Sequence, residues 1–282
     1  MAETRATKAS LGIVAISYNE EKDMPGFLAN FLPWVDEIVI VDDGSSDQTE
    51  ALALGGGEKV KFLRSPRKAG EYYADQRNKG IDASSADWIL HLDIDERATP
   101  AFAQEVLRAI FRAECEAFYY RRENYFLNRP MRGGGWADWN QVHLAKREVL
   151  RFSGMFHENV ELLCASEKVG QLTQRILHIN DDDYAERLQK STNYQTEVVQ
   201  DVRNNEGQMN SWLILRAFVR EFLIKYFYKR GYRDGTAGLI WAFHAAAAAF
   251  RARALVWDTQ NRISREALEA EIQSQWEEVD CE

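Results

Sequence analysis

The chain has 282 residues, of which 45% are hydrophobic and 12% aromatic, and it carries a formal net charge of −9. This length and composition allow a sizeable core and are not those of a disordered chain. The negative charge argues against general nucleic-acid binding, which depends on a basic surface, so no nucleic-acid partner is expected.

The cysteines and the apolar segments indicate the compartment. The three cysteines are widely spaced and include no C-x-x-C pair, which favours a reducing environment and predicts neither a disulfide framework nor a zinc site. The first ten residues lack the apolar segment of a signal peptide. The longest apolar run, 237–250, is shorter than the roughly 20 residues that span a bilayer. We therefore expect a cytoplasmic protein.

The first hundred residues alternate between strand-like and helix-like segments. Buried strands are predicted at 11–17, 37–43, 60–65 and 87–96, and helices at 19–32, 44–54, 71–85 and 100–113. Asn19 is expected to cap the first helix. This alternation predicts right-handed βαβ units and a mostly parallel sheet with helices on its faces.

The pattern changes after residue 113. Segments 116–126 and 140–152 are predicted to be strands, joined through a glycine-rich loop at 131–139 that is either a lid or a hairpin turn. From Asp182 onward the chain is predicted to be helical. We expect a disordered tail at residues 1–10, one α/β domain at 11–180 and a helical region at 181–282.

Acidic residues follow the fourth predicted strand, where Asp93, Asp95 and Glu96 lie in the segment WILHLDIDER. Ligands of open parallel sheets bind outside the carboxyl ends of the strands, and the two-residue period of a strand directs Asp93 and Asp95 to the same side. Adjacent carboxylates are costly to desolvate without a cation, and their oxygens suit Mg²⁺ or Mn²⁺. The segment predicts a divalent-metal site, with ordinary surface acids at a strand end as the alternative.

Polar side chains also follow the first two predicted strands. They are Ser17 and Asn19 after the first strand, and Asp42 and Asp43 after the second. Because parallel strands end at the same edge of a sheet, we expect these groups to lie near the acidic segment. A nucleotide with a diphosphate would match this edge, since Mg²⁺ and Mn²⁺ commonly bridge phosphate oxygens.

Four segments together resemble a known family. They are VAISYNEE (14–21), EIVIVDDGSSDQT (37–49), QRNKGIDASSADWILHLDIDE (76–96) and GYRDGTAGL (231–239). In this order they resemble family 2 glycosyltransferases of the GT-A fold, and more narrowly the bacterial subgroup that includes lipopolysaccharide-core β-1,4-glucosyltransferases. The resemblance runs from about residue 11 to about residue 257. It implies an α/β fold with a Rossmann-like, mostly parallel sheet flanked by helices, and a C-terminal helical subdomain.

The resemblance implies a set of donor-binding residues. The candidates are Ser17, Asn19, Glu20, Glu21, Asp42, Arg77, Asn78, Asp93 and Glu96. Residues 19–21 would lie under the nucleotide, and Asp42 would accept a hydrogen bond from the uracil imide of the base. Arg77 and Asn78 would contact the diphosphate or fix the acidic loop.

The acidic segment takes the remaining donor and metal roles. Asp93 would face the ribose, Asp95 would bind the metal, and Glu96 would lie near the donor sugar. Asp93 is also a candidate metal ligand. His157 is the candidate third ligand because neutral imidazole binds Mn²⁺, and His178 is the alternative.

The catalytic base has two candidates. Transfer with inversion needs a base that deprotonates the acceptor hydroxyl. The resembling enzymes carry an acid shortly after a GGW sequence, but here Trp139 occupies that position and Asp138 lies one residue earlier. Glu158 is the second candidate, so Asp138 and Glu158 are the expected catalytic residues.

Some polar residues have simpler interpretations. His143 and His244 lie in apolar segments and are expected to be structural. Arg121 and Arg122 either bind phosphate or form a solvated strand face, and the solvated face is favoured. Asp234, in the turn RGYRDG, is expected to cap the next helix.

The helical region is basic although the whole chain is acidic. Residues 216–265 contain ten Lys or Arg and only three acids. The segment is either a helical subdomain with basic residues on its rim or a surface that docks on anionic lipids, and the two interpretations are compatible. The inner face of the cytoplasmic membrane is therefore a candidate partner.

The resemblance implies a metal-dependent inverting glycosyltransferase with Mg²⁺ or Mn²⁺ as cofactor. It would move a hexose, with glucose expected, from a UDP-sugar to a glycan or glycolipid acceptor in bacterial surface polysaccharide or lipopolysaccharide synthesis. One alternative is a non-catalytic membrane-associated protein with a degenerate GT-A fold. Another is a sugar nucleotidyltransferase, which would need a glycine-rich phosphate loop where this chain has SYNEEKD.

Overall fold

The computed structural model describes residues 9–112, 114–154, 159–193 and 195–279. The chain forms two compact units. The first comprises Met1–Met131 and Trp136–Asp182, and the second comprises Arg132–Gly135 and Asp183–Glu282. The disordered tail expected at residues 1–10 lies outside the described residues, apart from Ala9 and Ser10.

A nine-stranded mixed sheet forms the centre of the first unit. Its strands are β1 (Leu11–Ser17), β2 (Glu37–Asp42), β3 (Val60–Arg64), β4 (Trp88–Asp93), β5 (Glu96–Arg97), β6 (Ala117–Phe126), β7 (Arg129–Pro130), β8 (Asn140–Lys146) and β11 (Val169–Asp181), while β9 (Leu150–Ser153) and β10 (Asn159–Leu162) form a separate two-stranded sheet. The strand order is β3-β2-β1-β4-β8-β6-β11-β5, with β7 paired to β6. The helices are α1 (Met24–Phe31), α2 (Thr49–Leu54), α3 (Tyr73–Ala83) and α4 (Pro100–Ala109).

The first four strands are parallel, as the sequence predicts. β1 and β2 are buried on both faces, and the residues between their ends are therefore apolar or glycine. Alternate residues enter different cores: Ile13 packs in the core on one face, and Val14 in the core on the other. On the second face α3 lies directly on the sheet, where a Cβ atom at Gly80 would lie 2.4 Å from Val14 Cγ1.

The second half of the sheet makes the fold mixed. β8 pairs antiparallel with both β4 and β6, and β11 runs parallel to β6. The single strand predicted at 140–152 is two strands, β8 and β9, because a turn at 147–149 separates them. The α/β architecture with a mostly parallel first half and C-terminal helices is confirmed.

The start of the first helix differs from the prediction. α1 begins at Met24, and Asp23 occupies the N-cap position. Asn19 is not a helix cap but has a φ of 56°, in the left-handed region that asparagine tolerates. Residues 19–23 therefore form a loop over the end of β1, where a ligand of the sheet would lie.

The predicted fourth strand, 87–96, is also shorter. β4 ends at Asp93, Ile94 and Asp95 form a turn, and Glu96 and Arg97 pair antiparallel with β11 as the short strand β5. The prediction of one continuous strand through Asp95 and Glu96 is therefore wrong. The two carboxylates have different neighbours.

The second unit is helical, as expected from residue 182 onward. Its elements are α5 (Tyr184–Asn193), α6 (Gln195–Glu206), α7 (Ser211–Leu223), a π-helical turn at Ile224–Tyr228, a 3-10 turn at Gly231–Asp234, α8 (Gly235–Asn261) and α9 (Arg265–Val279). Among the described residues, one helical stretch, Gly231–Asn261, is long and apolar enough to cross a membrane by length and composition. This helical stretch is longer than the apolar run 237–250 because the helix also includes polar residues on both sides of that run.

Residues 132–135 of the glycine-rich loop belong to this helical unit. The backbone N–H groups of Arg132 and Gly133 donate to the two oxygens of Asp234 at 2.9 and 2.7 Å, and the N–H of Gly134 donates to the Lys229 carbonyl at 2.8 Å. The Asp234 side chain makes no cap hydrogen bond to α8, contrary to expectation. Its oxygens hold the loop instead.

Candidate active site

The loops that follow β1 and β2 are joined by hydrogen bonds. The N–H of Asn19 donates to Ser45 Oγ at 2.8 Å, and the N–H of Ser46 donates to Asn19 Oδ1 at 2.9 Å. The N–H of Glu20 donates to Thr49 Oγ1 at 2.7 Å. The S-S-x-x-T sequence at 45–49 thus supplies the polar partners that hold the first loop in its left-handed turn.

Glu21 extends this contact between the two loops. The N–H of Gln48 donates to Glu21 Oε2 at 3.1 Å, and the N–H of Glu21 donates to Asp47 Oδ2 at 3.1 Å. The three predicted residues Asn19, Glu20 and Glu21 are therefore brought together at the carboxyl edge of the sheet.

Asp42 lies beneath these loops and is fully buried. Ser17 Oγ donates to Oδ1 at 3.0 Å, and the N–H groups of Gly44 and Ser45 donate to Oδ2 at 3.0 and 2.8 Å. The Ser45 hydroxyl also bonds to Oδ1. Asp42 was predicted to contact the nucleotide base, but its carboxylate stabilises the turn after β2 through these hydrogen bonds. It could contact a nucleotide base only by giving up some of them.

Asp93, at the end of β4, forms ion pairs with two arginines. Arg122 Nη2 lies 2.6 Å from Asp93 Oδ2, and Arg77 Nη1 lies 3.4 Å from Asp93 Oδ1. Arg122 Nε also lies 2.6 Å from Oε1 of Glu96, which is fully buried. Glu96 Oε2 in turn accepts the N–H of Asp93 at 2.9 Å. Arg122 therefore bridges both acids at the start of the turn.

The charges of this cluster depend on one another. Burial alone would raise the pKa of Asp93, but the guanidinium groups of Arg122 and Arg77 hold that pKa well below its usual range. Burial raises the pKa of Glu96 more than Arg122 lowers it. Asp93 is consequently an ionised and already neutralised carboxylate.

Asp95 belongs to a different set of contacts. Its Oδ2 lies 3.2 Å from Nε2 of His178 on β11, and its carbonyl accepts the N–H of Ile179 at 3.0 Å. His178 Nδ1 lies 2.7 Å from Asn124 Oδ1, and Asn124 Nδ2 donates to the Trp136 carbonyl at 2.6 Å. A chain of hydrogen bonds thus joins the acidic turn to the loop that carries the candidate base.

The pKa of His178 reflects this contact. Burial alone would lower the pKa of the imidazole, but the hydrogen bond to Asp95 raises it above its ordinary value. The two side chains therefore stabilise each other as a pair, and a cation bound there would replace the proton of the imidazole.

The residues around Asp95 fit a divalent cation. Among the described residues, no group of three His, Cys, Asp or Glu could hold a metal ion alone. However, Asp95 Oδ1 is buried and makes no hydrogen bond, which is costly for a carboxylate oxygen. Two protein ligands completed by phosphate oxygens and water are an ordinary set for Mg²⁺ or Mn²⁺.

Arg77 and Asn78, on α3, face different partners. Arg77 is buried, and its Nη1 lies about 3 Å from the ring nitrogens of His91 and 3.4 Å from Asp93. Asn78 donates to the Phe152 carbonyl at 2.8 Å and accepts the Phe152 N–H at 3.0 Å. Arg77 thus reaches the acidic cluster, whereas Asn78 binds the backbone of β9.

The loop with the candidate base ends beside Arg122. Asp138 is exposed at the end of a 3-10 turn, Trp136–Asp138. The ring of Trp139, at the position where the resembling enzymes have an acid, covers the Arg122 guanidinium at 4.2 Å. His157 and Glu158, the candidate ligand and second candidate base, lie outside the described residues.

Of the two histidines expected to be structural, His143 is half-buried and His244 is buried. His143 packs among Trp139, Tyr120 and Phe152, and burial lowers its pKa to about 3. In the second unit, burial lowers the pKa of His244 to about 4. Both side chains are neutral at physiological pH.

The sequence reasoning missed Arg122 and Asn124. The favoured expectation of a solvated face holds for Arg121, which is exposed, and fails for Arg122, whose side chain is 11% exposed. Both missed residues lie on the same face of β6 as the buried Tyr120 and Phe126. The signal that could have revealed them is the two-residue period of the strand, which predicts that Arg122 and Asn124 face the same side as Tyr120 and Phe126.

Curated relatives include several glycosyltransferases. The chain is 26% identical to the lipopolysaccharide core biosynthesis glycosyltransferase LpsC of Rhizobium meliloti over 259 residues, which cover 89% of this chain and 93% of that protein. It is 33% identical over 101 residues to a dolichyl-phosphate beta-glucosyltransferase of Mus musculus, and 30% identical over 138 residues to a TPR repeat-containing protein of Synechococcus elongatus. The mouse match covers 30% of this chain and 31% of that protein. The Synechococcus match covers 44% of this chain and 33% of that protein.

Similar solved structures include two sugar phosphoglycerate synthases. One is glucosyl-3-phosphoglycerate synthase from Mycobacterium tuberculosis in complex with Mn²⁺, UDP and glucosyl-3-phosphoglycerate, at 16% identity and a TM-score of 0.46, covering 72% of this chain and 82% of that one. The other is mannosyl-3-phosphoglycerate synthase from Rubrobacter xylanophilus, at 16% identity and a TM-score of 0.45, covering 71% and 75%.

The family assignment follows from the N-terminal half of the chain. Residues 12–159, slightly more than half of the sequence, match the family described as Glycosyl transferase family 2. This segment contains nearly all of β1, all of β2 to β4 and the acidic turn, whereas β11, which carries His178, lies outside it. The chain therefore belongs to glycosyltransferase family 2 and is a glycosyltransferase with a GT-A α/β fold.

Proposed function

We propose that this enzyme transfers a hexose from a UDP-sugar to a glycan or glycolipid acceptor in bacterial lipopolysaccharide or surface polysaccharide synthesis, with a divalent metal and with inversion. The observation that carries the proposal is the acidic turn at the carboxyl edge of the sheet. There Asp95 pairs with His178 and retains one buried oxygen without a hydrogen bond. Family 2 membership supports the reaction class.

The loops after β1 and β2 would form the nucleotide subsite. Asn19, Glu20 and Glu21 are held over the sheet edge by the 45–49 segment, which Asp42 braces from below. This pre-formed arrangement reduces the entropy cost of ordering a nucleotide site on binding. Ser17 would act in the same brace through its bond to Asp42.

Asp95 and His178 would hold the metal, together with oxygens of the donor diphosphate. A divalent cation there would neutralise the charge that develops on the departing UDP. Asp93 fits less well as a ligand because both of its oxygens already face guanidinium groups. Its ionised carboxylate, fixed by Arg122 and Arg77, would instead face the ribose. Glu96 would hold Asp93 in place through its ion pair with Arg122 and its bond to the Asp93 N–H.

The acceptor side requires a base. A single displacement with inversion removes a proton from the acceptor hydroxyl as the bond to the sugar forms. Asp138 is exposed and follows Trp136, whose carbonyl is tied through Asn124 and His178 to Asp95. We propose Asp138 as the base and Glu158 as the alternative.

The nature of the acceptor is inferred from similarity. The match to LpsC extends over 89% of this chain, which is too much to leave out most of the helical region. That relative is named for lipopolysaccharide core synthesis, and the mouse relative is named a glucosyltransferase. These names support a saccharide or lipid-linked acceptor and glucose as the transferred sugar, and the use of UDP-glucose is part of the proposal.

Substitution of the metal residue provides the test. With a panel of UDP-sugars and Mn²⁺, Asp95→Asn should lower the turnover rate by about 100-fold or more, the usual effect of losing one transition-state charge contact, and should weaken Mn²⁺ binding in calorimetry. Asp82→Asn is the matched control, since Asp82 is an exposed acid of the same unit. Full turnover in Asp95→Asn, or no binding of any nucleotide sugar by the unaltered enzyme, would refute the proposal.

A further inference from the structure

Helix α7 carries a row of exposed apolar side chains. Trp212, Leu215, Val219 and Leu223 are 44–67% exposed, and their spacing of three, four and four residues places them on one face of the helix. Phe227, which is 55% exposed, continues the row into the π-helical turn. A soluble helix normally turns such a row toward a core.

Helix α8 adds a second exposed row beside the first. Leu239, Phe243, Phe250 and Trp257 are 36–49% exposed and are spaced by four, seven and seven residues, which again defines one helix face. Phe250 lines the same groove of about 490 Å³ as Leu215 of α7. The two rows therefore form one continuous surface, the apolar face of the α7–α8 pair.

Basic and aromatic residues surround the apolar face. Residues 211–257 contain eight Lys or Arg and only two acids, Glu221 and Asp234. Both acids are engaged: Glu221 lies 3.6 Å from Lys225, and Asp234 accepts backbone N–H groups of the glycine-rich loop. Arg216 and Arg220 are exposed next to the α7 row.

The turn between α7 and α8 also combines exposed aromatic and basic side chains. Tyr228 and Tyr232 are 79% and 48% exposed, and Arg230 and Arg233 are exposed beside them. Large amphipathic rings next to basic side chains are typical of segments that lie at the level of lipid headgroups.

We propose that the apolar face of the α7–α8 pair docks on an anionic membrane surface, with its aromatic and aliphatic side chains among the lipid chains and its basic residues at the headgroups. An apolar surface alone would fit many partners. Arg251 and Arg253 contact Ser191 and Glu206 and are left out of the count. The other six basic residues of 211–257 still exceed its two acids by four charges, in a chain whose net charge is −9, which favours a polyanionic surface. This inference does not depend on the proposed transfer reaction, although it would bring the enzyme to a lipid-linked acceptor.

The same helices are unsuited to crossing the membrane. Although α8 is long enough to span it, one side of α8 packs against α5 and α6 of the same unit. Arg253 Nε lies 2.9 Å from Glu206 Oε2, and Arg251 Nη2 donates to Ser191 Oγ at 2.6 Å. His244 is buried beside Tyr184. A spanning α8 would lose these contacts, whereas a helix pair lying in the interface keeps them.

A second copy of the chain is the competing occupant. Helix α9 is rich in Glu and exposes Leu268, Ile272 and Trp276 at four-residue spacing. It could supply a complementary acidic and apolar row to the same face of another molecule. The experiment must therefore measure self-association as well as lipid binding.

The test is sedimentation of the full-length protein with two kinds of vesicle, phosphatidylcholine alone and phosphatidylcholine mixed with an equal amount of phosphatidylglycerol. We expect binding to the anionic vesicles that weakens with added salt. Arg216→Gln with Arg220→Gln should reduce the partition coefficient about 25-fold, at about fivefold for each charge. Val219→Ser with Leu223→Ser should abolish binding, whereas Arg129→Gln with Leu163→Ser, both exposed in the first unit, should not.

A second measurement reports which face enters the lipid. Brominated lipids should quench tryptophan fluorescence on binding, and Trp212→Phe should remove part of that quenching. Three outcomes would overturn the proposal: equal binding by the Val219/Leu223 variant and its control, retention of the protein in membranes after carbonate extraction, or dimers in light scattering that Ile272→Ser converts to monomers without any lipid binding.

Discussion

Arg122 offers the sharpest test of the electrostatics of the acidic turn. Its side chain is 11% exposed and contacts two carboxylates, with Nε 2.6 Å from Glu96 and Nη2 2.6 Å from Asp93. In Arg122→Gln the fully buried Glu96 would lose its cation. Removing one partner of a buried ion pair costs about 3–5 kcal/mol, and the lost contact with the Trp139 ring adds about 0.5–1 kcal/mol.

Most of this cost comes from the uncompensated carboxylate and not from the lost bond. Adding Glu96→Gln to Arg122→Gln should therefore recover at least about 2 kcal/mol of the free energy of unfolding. Burial raises the pKa of Glu96, and without Arg122 the folded variant would hold a proton there that the unfolded chain releases. The stability of Arg122→Gln should consequently be higher at acidic than at neutral pH, relative to the wild type.

The assay is urea denaturation of the wild type, both single variants and the double variant, with hydrogen exchange of the β6 amides to report on the first unit. Arg121→Gln is the matched control, because Arg121 is the neighbouring residue and is exposed. Its effect should stay within about 0.5 kcal/mol. A loss below about 1 kcal/mol in Arg122→Gln, or no recovery in the double variant, would contradict the argument.

Two further predictions concern the sheet. Burial alone would raise the pKa of Glu37, but hydrogen bonds from Lys61, Ser84 and the N–H of Ala86 lower it to about 2. A depressed carboxyl pKa contributes stability above the unfolded value, so Glu37→Gln should cost about 3 kcal/mol at neutral pH, and its difference from the wild type should vanish as the pH falls from 4.5 to about 2. Unfolding free energies measured against pH test this, and a constant difference would contradict it. Gly80→Ala should cost about 1–3 kcal/mol in thermal unfolding because its Cβ would meet Val14 Cγ1 at 2.4 Å, and an unchanged melting temperature would show that the contact relaxes freely.

The parallel half of the sheet could be predicted because the signal is local. β1 and β2 are continuous apolar runs between polar turns, which is the pattern of strands buried on both faces. The polar residues after them necessarily share one edge. Asn19 and Asp42 were therefore placed at the correct edge, although their hydrogen-bond partners, such as Ser45, could not be derived from spacing alone.

The acidic turn could not be predicted because distant pairing shapes it. The sequence WILHLDIDER continues to alternate past Asp93, so its local period gives no sign that the chain leaves β4 there. The break is imposed by the pairing of Glu96 and Arg97 with β11, about 80 residues later. In the same way, the acidic segment 19–23 suits the first turn of a helix, but its bonds to Ser45 and Thr49 hold it as a loop.

The pairing of Arg122 also bears on where the catalytic base can lie. The ring of Trp139 covers the guanidinium of Arg122 at 4.2 Å, at the loop position where the resembling enzymes have an acid. A carboxylate at residue 139 would compete with Asp93 and Glu96 for the same cation, and a carboxylate bound to arginine has a depressed pKa that suits a base poorly. The aromatic ring at this position therefore preserves the neutralised Asp93. If the transfer proceeds with inversion, as proposed, the base would then have to be another residue, and the exposed Asp138 is the first candidate to test.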